Sequence, residues 1–561
     1  MTHPQAQICW VLSGFHVILF IPFLYCFSVN LYHTYSFNLY FRLQNYHFSS
    51  NLPNNSQIKC ENITFRTLYI KKSPRFSCLN EINSFPLQPC LIIIVDTIYI
   101  LLYMLQQFTA VNFLSFKGQE VFKLKPGRGT LKSHHKVEPV KGFTVLKTAI
   151  MFGANASGKS NFVKAIDLGK RLVLEGTSIG SPMEYHPFRL HAENKKKDTT
   201  FIYVILCNNK KYEYGFSYNA ERVSKEWLKQ ITKKTEYSIF ERNINSDNPF
   251  DISYILKLNK KESEKQFLTV FAKATPPRSL FLHEVLSRNV HDNVSNIEDL
   301  ENILAWFINT LKTIFPATPY KQGSMLKAVD DNKLKEGFGA ILRFFDTGIA
   351  SIDLEKVDFN KLGIPQDLKN FIQTDLSKSN TNEAFGSLRF EDNLYLITIS
   401  DGEIVAKKLM IIHKRIDVDD YELFSIGEES DGTQRLFDFI PLILDFIQGD
   451  KVFIIDEMER SLHPALMIKL IELYYKYSEE ISTQLIFTTH NSSLMSYELL
   501  RSDEIWTVNK SSGGISSLSR FDESYNPRFD KVLQPQYLKG EYDGIPRFDE
   551  EELLKLIRLL R

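Results

Sequence analysis

Two short runs of this 561-residue sequence combine residue types and spacings suited to handling a chain of phosphates. The first is Gly153-Ala154-Asn155-Ala156-Ser157-Gly158-Lys159-Ser160, entered from the apolar, β-branched stretch 144–152 and left through the amphipathic stretch 161–174. Strand, glycine-rich turn and helix in that order bring the backbone N–H groups of Gly153, Asn155, Ala156, Ser157 and Gly158 onto a phosphate at a helix N-terminus. Lys159 would then neutralise the β- and γ-phosphates, and the Ser160 hydroxyl would bind Mg2+. The plainer alternative, a glycine-rich turn with an exposed lysine, leaves both flanks unexplained.

The second run is Lys451-Val452-Phe453-Ile454-Ile455, apolar after its first residue as a strand buried on both faces must be, and it ends in Asp456-Glu457. Carboxylates at the C-terminal end of such a strand lie where α/β sheets bind ligands. Asp456 would hold Mg2+ and Glu457 would polarise an attacking water as general base. Taken alone an acidic pair after a strand is often mere solvation; its pairing with the loop gives it a task. Upstream, Glu428-Glu429-Ser430-Asp431-Gly432-Thr433-Gln434-Arg435 opens an apolar helix at 436–447. Downstream, Ser461-Leu462-His463-Pro464 follows Glu457 closely, and the buried run 484–488 leads into Thr489-His490.

Lys159 and Asp456 are too far apart in sequence for a small GTPase or an ordinary ring-forming module. The set resembles an ABC-type ATPase head of the kind found in structural-maintenance, RecF and OLD proteins. That resemblance makes the first run a Walker A loop and the second a Walker B strand. It gives Ser430 to Gln434 the signature place, Ser461 to Pro464 the D-loop place and His490 the switch position. Local strings at 113–117, 153–160, 429–436, 456–464, 537–540 and 544–546 are further similar to ATPases of the bacterial abortive-infection AbiL group, classed as AAA family ATPases. The resemblance covers about residues 104–561 and implies two heads sandwiching two ATP molecules, Ser430 and Gly432 of one subunit completing the Lys159 site of the other. No Q-loop glutamine is assigned, since Gln119 and Gln230 are both poorly placed.

The elements that must position these residues follow from pattern. Short strands at 108–116, 200–206, 212–218 and 237–241 predict a mostly antiparallel first lobe. A hairpin is expected at 394–412, turning at Asp401-Gly402. A stripe of Leu300, Ile303, Leu304, Phe307, Ile308, Leu311 and Ile314, opened by a capping box from Ser295 to Glu298, predicts one continuous helix. The fold class expected is therefore α/β, a P-loop NTPase with an ABC-type head. Its first lobe spans 104–261, a helical insertion 262–385 and a second lobe 386–561.

Residues 1–103 differ in kind, with nine charged side chains and five of the six cysteines of the chain. Run 9–32 carries no charge and run 91–104 is broken by Asp96. We expect this stretch to be an over-long gene reading with the true start at Met104; the alternatives are a membrane anchor, which alone implies a membrane partner, and some other genuine extension. The odd cysteine count and lack of a C-x-x-C pair give neither a disulfide framework nor a zinc site.

Over the whole chain 67 basic residues face 66 acidic ones, so no global field draws it to nucleic acid. The lysine clusters at 195–197, 210–211, 233–234 and 260–261 have acidic or amide neighbours and read as solvated faces. The stretch after His490 is too short for the nuclease domain of OLD proteins. The residues lead us to expect cytoplasmic ATP binding and hydrolysis with Mg2+, and the resemblance implies in addition an ATP-dependent homodimer that regulates a phage-defence effector, a nuclease or toxin encoded in trans. Two alternatives stay open at this point: a RecF-like DNA-repair or DNA-clamp ATPase, and a membrane-anchored, nucleotide-controlled scaffold. Replacing Lys159 by Ala is expected to abolish ATP binding, and normal binding by that variant in a titration would remove the loop from the site.

Overall fold

The runs that end beside the candidate residues, Thr148–Phe152, Val452–Ile455 and Gln484–Thr489, are buried along their whole length. Strands without a polar face belong inside a sheet covered on both sides, where parallel pairing puts crossover elements on each face. A computed structural model describes residues 7–12, 15–20, 29–31 and 103–560, except 128, 130, 179, 317, 319, 331, 379–384, 401–402, 479–481, 526–531 and 547–549.

The chain divides into two compact units, Met1–Ile100 and Leu101–Arg561. In the first, Gln7–Leu12 pairs antiparallel with Phe15–Phe20 and parallel with Val29–Leu31. Much of the apolar run at 9–32, and that at 91–104 up to residue 102, lies outside the described residues. Among the described residues no helix is long and apolar enough to cross a membrane.

The second unit is built on a six-stranded sheet in the order Leu311–Ile314, Val452–Ile455, Gln484–Thr489, Thr148–Phe152, Ile505–Lys510, Ser516–Arg520. The first five strands run parallel, and the last folds back antiparallel on its neighbour. One strand separates the loop strand from the acidic strand. Register pairs Thr489 with Phe152 and Phe487 with Ile455, so the three strand ends finish on one edge. A seven-stranded antiparallel sheet forms the first lobe, in the order Phe250–Asp251, Glu236–Asn243, Val223–Ile231, Lys210–Tyr218, Thr199–Cys207, Met104–Phe113, Phe116–Lys123.

Helix Lys159–Leu174 joins the two sheets because its apolar face is complementary to the first lobe. Phe162 meets Phe108 edge-on at 5.8 Å and Phe122 at 4.9 Å between ring centroids. The Tyr203 hydroxyl donates to the Ile166 carbonyl at 2.9 Å, against a helix surface left bare by Gly169. A buried amide stitches the sheets directly: Gln484 accepts from Leu105 N–H at 2.6 Å and donates to the carbonyls of Leu105 and Leu146, both at 2.9 Å.

Two expectations from periodicity need correction. The helix from 300 to 314 stops at Ala305, passes through a π turn at Trp306–Thr310 and becomes strand Leu311–Ile314 on the edge of the parallel sheet. There it hydrogen-bonds to Val452–Ile455, a partner that helical spacing cannot reveal. The capping box does not form either, since the Ser295 hydroxyl donates to Glu264 at 2.8 Å and Ile297 is the N-cap. Span 262–385 is accordingly not all helical, for it also holds strand Ile349–Val357. That strand enters an antiparallel sheet with Glu403–Lys414, Asn393–Ser400 and Phe385–Phe390. The hairpin between the middle pair is present, while its turn, Asp401-Gly402, lies outside the described residues.

Replacing Gln484 by Leu leaves at least one buried backbone N–H and two carbonyls without their partner. Each unpaired buried group costs about 1–3 kcal/mol, so the urea midpoint of the variant should fall clearly, and an unchanged midpoint would show that the stitch is not stabilising.

Candidate functional site

Strand Thr148–Phe152 ends in the glycine-rich loop, and close backbone packing dictates which residues the loop can use. A Cβ on Gly153 would come within 2.6 Å of the Val508 carbonyl oxygen. Gly158 has φ +116°, a conformation open to glycine, and a Cβ there would also crowd Ser516 and Ser115. These two serines hold the loop from outside: Ser516 Oγ donates to the Ser157 carbonyl at 2.5 Å, Ser516 N–H donates to the Ser115 carbonyl at 2.9 Å, and Asn161 Nδ2 donates to Ser115 Oγ at 2.7 Å. Neither was evident from sequence, because each lies far from the loop in the chain.

Lys159 is 3% exposed, with its Nζ donating to the carbonyls of Gly153 at 2.7 Å and Ala154 at 2.9 Å and lying 3.3 Å from His490 Nδ1. Burial drives its pKa down to about 8, against the opposing pull of Glu459, Asp456 and Glu457. Ser157 Oγ is enclosed and without a partner, as expected where a loop is shaped for a polar guest. The Ser157 N–H donates to the Ala154 carbonyl at 3.2 Å within the loop, while the helix N-terminus at Lys159, its buried ammonium and the unused Ser157 hydroxyl together fit a polyphosphate.

On the neighbouring strands Asp456, 4% exposed, accepts from the Thr488 hydroxyl at 2.7 Å, and its own N–H donates to the Ile314 carbonyl at 2.9 Å. The same Thr488 oxygen accepts the Glu457 N–H at 2.8 Å. Thr488 therefore sets both carboxylate residues, a role the sequence signalled only by a hydroxyl two residues before His490. Glu457 has φ +47°, a strained backbone for a residue with a Cβ. Its Oε1 lies 3.6 Å from His490 Nε2, both side chains about one-third exposed. Glu459, also not anticipated, accepts the His490 N–H at 2.5 Å. A carboxylate held by one hydroxyl and open on its other oxygen is a suitable donor for a hard divalent cation, and Asp456 with Ser160 matches that oxygen-ligand chemistry.

Ser430 caps helix Asp431–Gln448, its Oγ accepting the Thr433 N–H at 3.2 Å, and it is exposed. Behind it Glu429 is held by His413 Nε2 at 2.6 Å. A Cβ on Gly432 would approach the Ser461 carbonyl to 2.9 Å, so this helix starts directly against the turn after Glu457. His463 caps the next helix, Pro464–Tyr477, by accepting the Ala465 N–H at 3.2 Å. Thus Lys159, Asp456, Glu457 and His490 meet at one sheet edge. Among the described residues no hydrogen bond or ion pair joins Ser430 or Gly432 to residues 153–160 of the same chain.

A family model described as "AAA domain, putative AbiEii toxin, Type IV TA system" matches residues 149–496, which contain all four of those residues and the Ser430 helix. Two solved structures are distantly similar. One is the "SMC head domain from Thermotoga maritima", 12% identical, covering 74% of this chain and 98% of that one at a TM-score of 0.30. The other is the "SmcHead bound to the C-winged helix domain of ScpA", 15% identical over 75% and 99% at 0.32. No curated protein matches the chain. With the parallel sheet, the glycine-rich loop and its helix, the fold is an α/β P-loop NTPase with an antiparallel first lobe.

Because free Lys159 gives up its proton near pH 8, affinity for Mg-ATP should be constant below that value and fall as pH rises through it. Titrations on either side of pH 8 check this; equal affinity on both sides would mean that the Lys159 charge does not govern binding.

Proposed function

The chain belongs to the AAA-domain family whose model spans its loop, its acidic strand and its histidine, and from that premise we propose an ATP-hydrolysing switch that dimerises on ATP. The observation that carries the reading is the meeting of Lys159, Asp456, Glu457 and His490 at the common end of three adjoining strands. In this reading the N–H groups of Gly153, Asn155, Ala156, Ser157 and Gly158, with Lys159, hold the β- and γ-phosphates of ATP. Ser160 and Asp456 hold Mg2+, which when bound offsets charge on the phosphate oxygens. Glu457 takes a proton from the attacking water while Asp456 keeps to the cation, so the two carry separate tasks. His490, close to both Lys159 and Glu457, senses the terminal phosphate.

Ser430 and Gly432 lie at an exposed helix N-terminus, and its partial positive charge and free N–H groups suit the γ-phosphate of a second subunit. That supports a homodimer with two shared sites. The family's printed description, and the local likeness to the AbiL group, support a role in abortive infection, with a nuclease or toxin effector supplied in trans, in the cytoplasm. The DNA-clamp alternative gains little from the lysine clusters, since Lys210 pairs with Asp299 at 2.8 Å and Lys261 with Glu264 at 3.0 Å.

Light scattering on the chain carrying Glu457→Gln, with and without Mg-ATP, tests the switch. A mass that doubles from 65.1 kDa only with nucleotide supports it, and a mass indifferent to ATP rejects the dimer. The same variant should bind ATP yet turn it over at least about 100-fold more slowly, whereas undiminished turnover would remove Glu457 as the base.

A further inference from the structure

Between Glu457 and the helix at Pro464 the chain makes a tight turn, and one side chain in it does more than solvate a loop. Glu459 Oε1 accepts the backbone N–H of His490 at 2.5 Å, a charge-assisted bond to the residue that stands 3.3 Å from Lys159 Nζ and 3.6 Å from Glu457 Oε1. The second oxygen, Oε2, is enclosed and has no hydrogen-bond partner. An enclosed, half-satisfied carboxylate is retained against its desolvation cost where its position serves a site. The Glu459 carbonyl in turn accepts the Leu462 N–H at 2.8 Å. This closes the turn in which Ser461, at φ +63°, presents its carbonyl to Gly432.

We propose that Glu459 is a positioning residue, which fixes His490 against the Lys159–Glu457 pair and ties that arrangement to the start of the Ser430–Gly432 helix. It touches none of the atoms that react. Its effect reaches them through the backbone of His490, and reaches the helix through Ser461. The Lys159 Nζ and the phosphate-binding N–H groups are placed by other residues, so the position of Glu459 governs turnover, while its charge, which helps keep Lys159 protonated, bears on affinity. The inference rests on the ATPase reading above.

The test compares steady-state ATP hydrolysis by the unaltered chain, E459A and E459Q, with thermal unfolding recorded for each. E459A removes the acceptor and the charge together, and its kcat at saturating ATP should fall at least about tenfold. E459Q keeps an oxygen at the acceptor position and should restore kcat to within about threefold of the parent. Where E459A fails to fold, E459M, which keeps the side-chain length but offers no acceptor oxygen, takes its place with the same expected fall in kcat. Parental kcat in E459A, or an E459Q as slow as E459A at saturating ATP, would each overturn the proposal. Failure of the ATPase reading shows separately, as an unaltered chain that hydrolyses no ATP.

Discussion

Everything at the candidate site depends on the register of three adjoining parallel strands. Thr489 must stand beside Phe152 and Phe487 beside Ile455 for the loop, the carboxylates and the histidine to share one edge. A slip of one residue shifts a strand by about 3.3 Å and exchanges its faces. Thr488 could then no longer reach Asp456 and the Glu457 N–H together. The lock is at the opposite end of the strand, where Gln484 N–H donates to the Lys451 carbonyl at 2.7 Å and Leu485 N–H to the Lys147 carbonyl at 2.8 Å. The Gln484 side chain adds its bonds to Leu105 and Leu146, and Tyr474 holds the carbonyls of Lys147 and Thr483 at 3.0 and 2.7 Å. Precision at the phosphate edge is thus set by polar contacts that lie a full strand length away.

The treatment of buried charge differs between scaffold and site. Glu226, fully buried in the first lobe, is closed off by the N–H groups of Phe281 at 2.6 Å and Leu282 at 3.1 Å and by the Tyr214 hydroxyl at 3.0 Å. At the phosphate edge Ser157 and Glu459 each keep an enclosed oxygen without a partner, Lys159 is pushed down toward neutrality, and Glu457 holds a left-handed backbone. Unpartnered buried groups such as the Tyr218 hydroxyl and Trp306 Nε1 occur in the scaffold too, but at this edge they coincide with a depressed ammonium and a left-handed carboxylate residue. A phosphate chain would offer acceptors and negative charge to the Ser157 hydroxyl and the Lys159 ammonium, whereas the open Glu459 oxygen is itself an acceptor and would not be satisfied by it.

Legibility in the sequence followed the range of the interactions. Strands buried on both faces must be continuous apolar runs, which is why Thr148–Phe152, Val452–Ile455 and Gln484–Thr489 could be read with their end residues. Helix Lys159–Leu174 was legible from its stripe and from the loop before it. Periodicity failed where a distant partner overrode it: Leu311–Ile314 continues a helical stripe on paper yet supplies the edge strand that Val452–Ile455 lacks on that side. Contacts such as His135 with Glu504, 369 residues apart, leave no local pattern at all. Burial lowers the His135 pKa to about 3 and raises that of Glu504 well above its ordinary value, and their bond at 2.9 Å pins the segment that precedes strand Thr148–Phe152. No charge signature could have advertised it.

The stretch from Asp456 to Ser461 shows how much a short turn can carry once its ends are fixed. Asp456 is anchored by Thr488 and Ile314, and the far end by the His463 cap on helix Pro464–Tyr477. Between them two residues, Glu457 and Ser461, take left-handed conformations, which reverses the chain within a few residues and leaves little slack. The proposed base, the carboxylate on the His490 backbone and the carbonyl against Gly432 therefore sit on one stiff link. A displacement of His490 has to be taken up by the start of the Asp431–Gln448 helix or by strain in the turn itself. In the dimer proposed above, such a link would join the edge that binds the terminal phosphate to the start of the Ser430 helix.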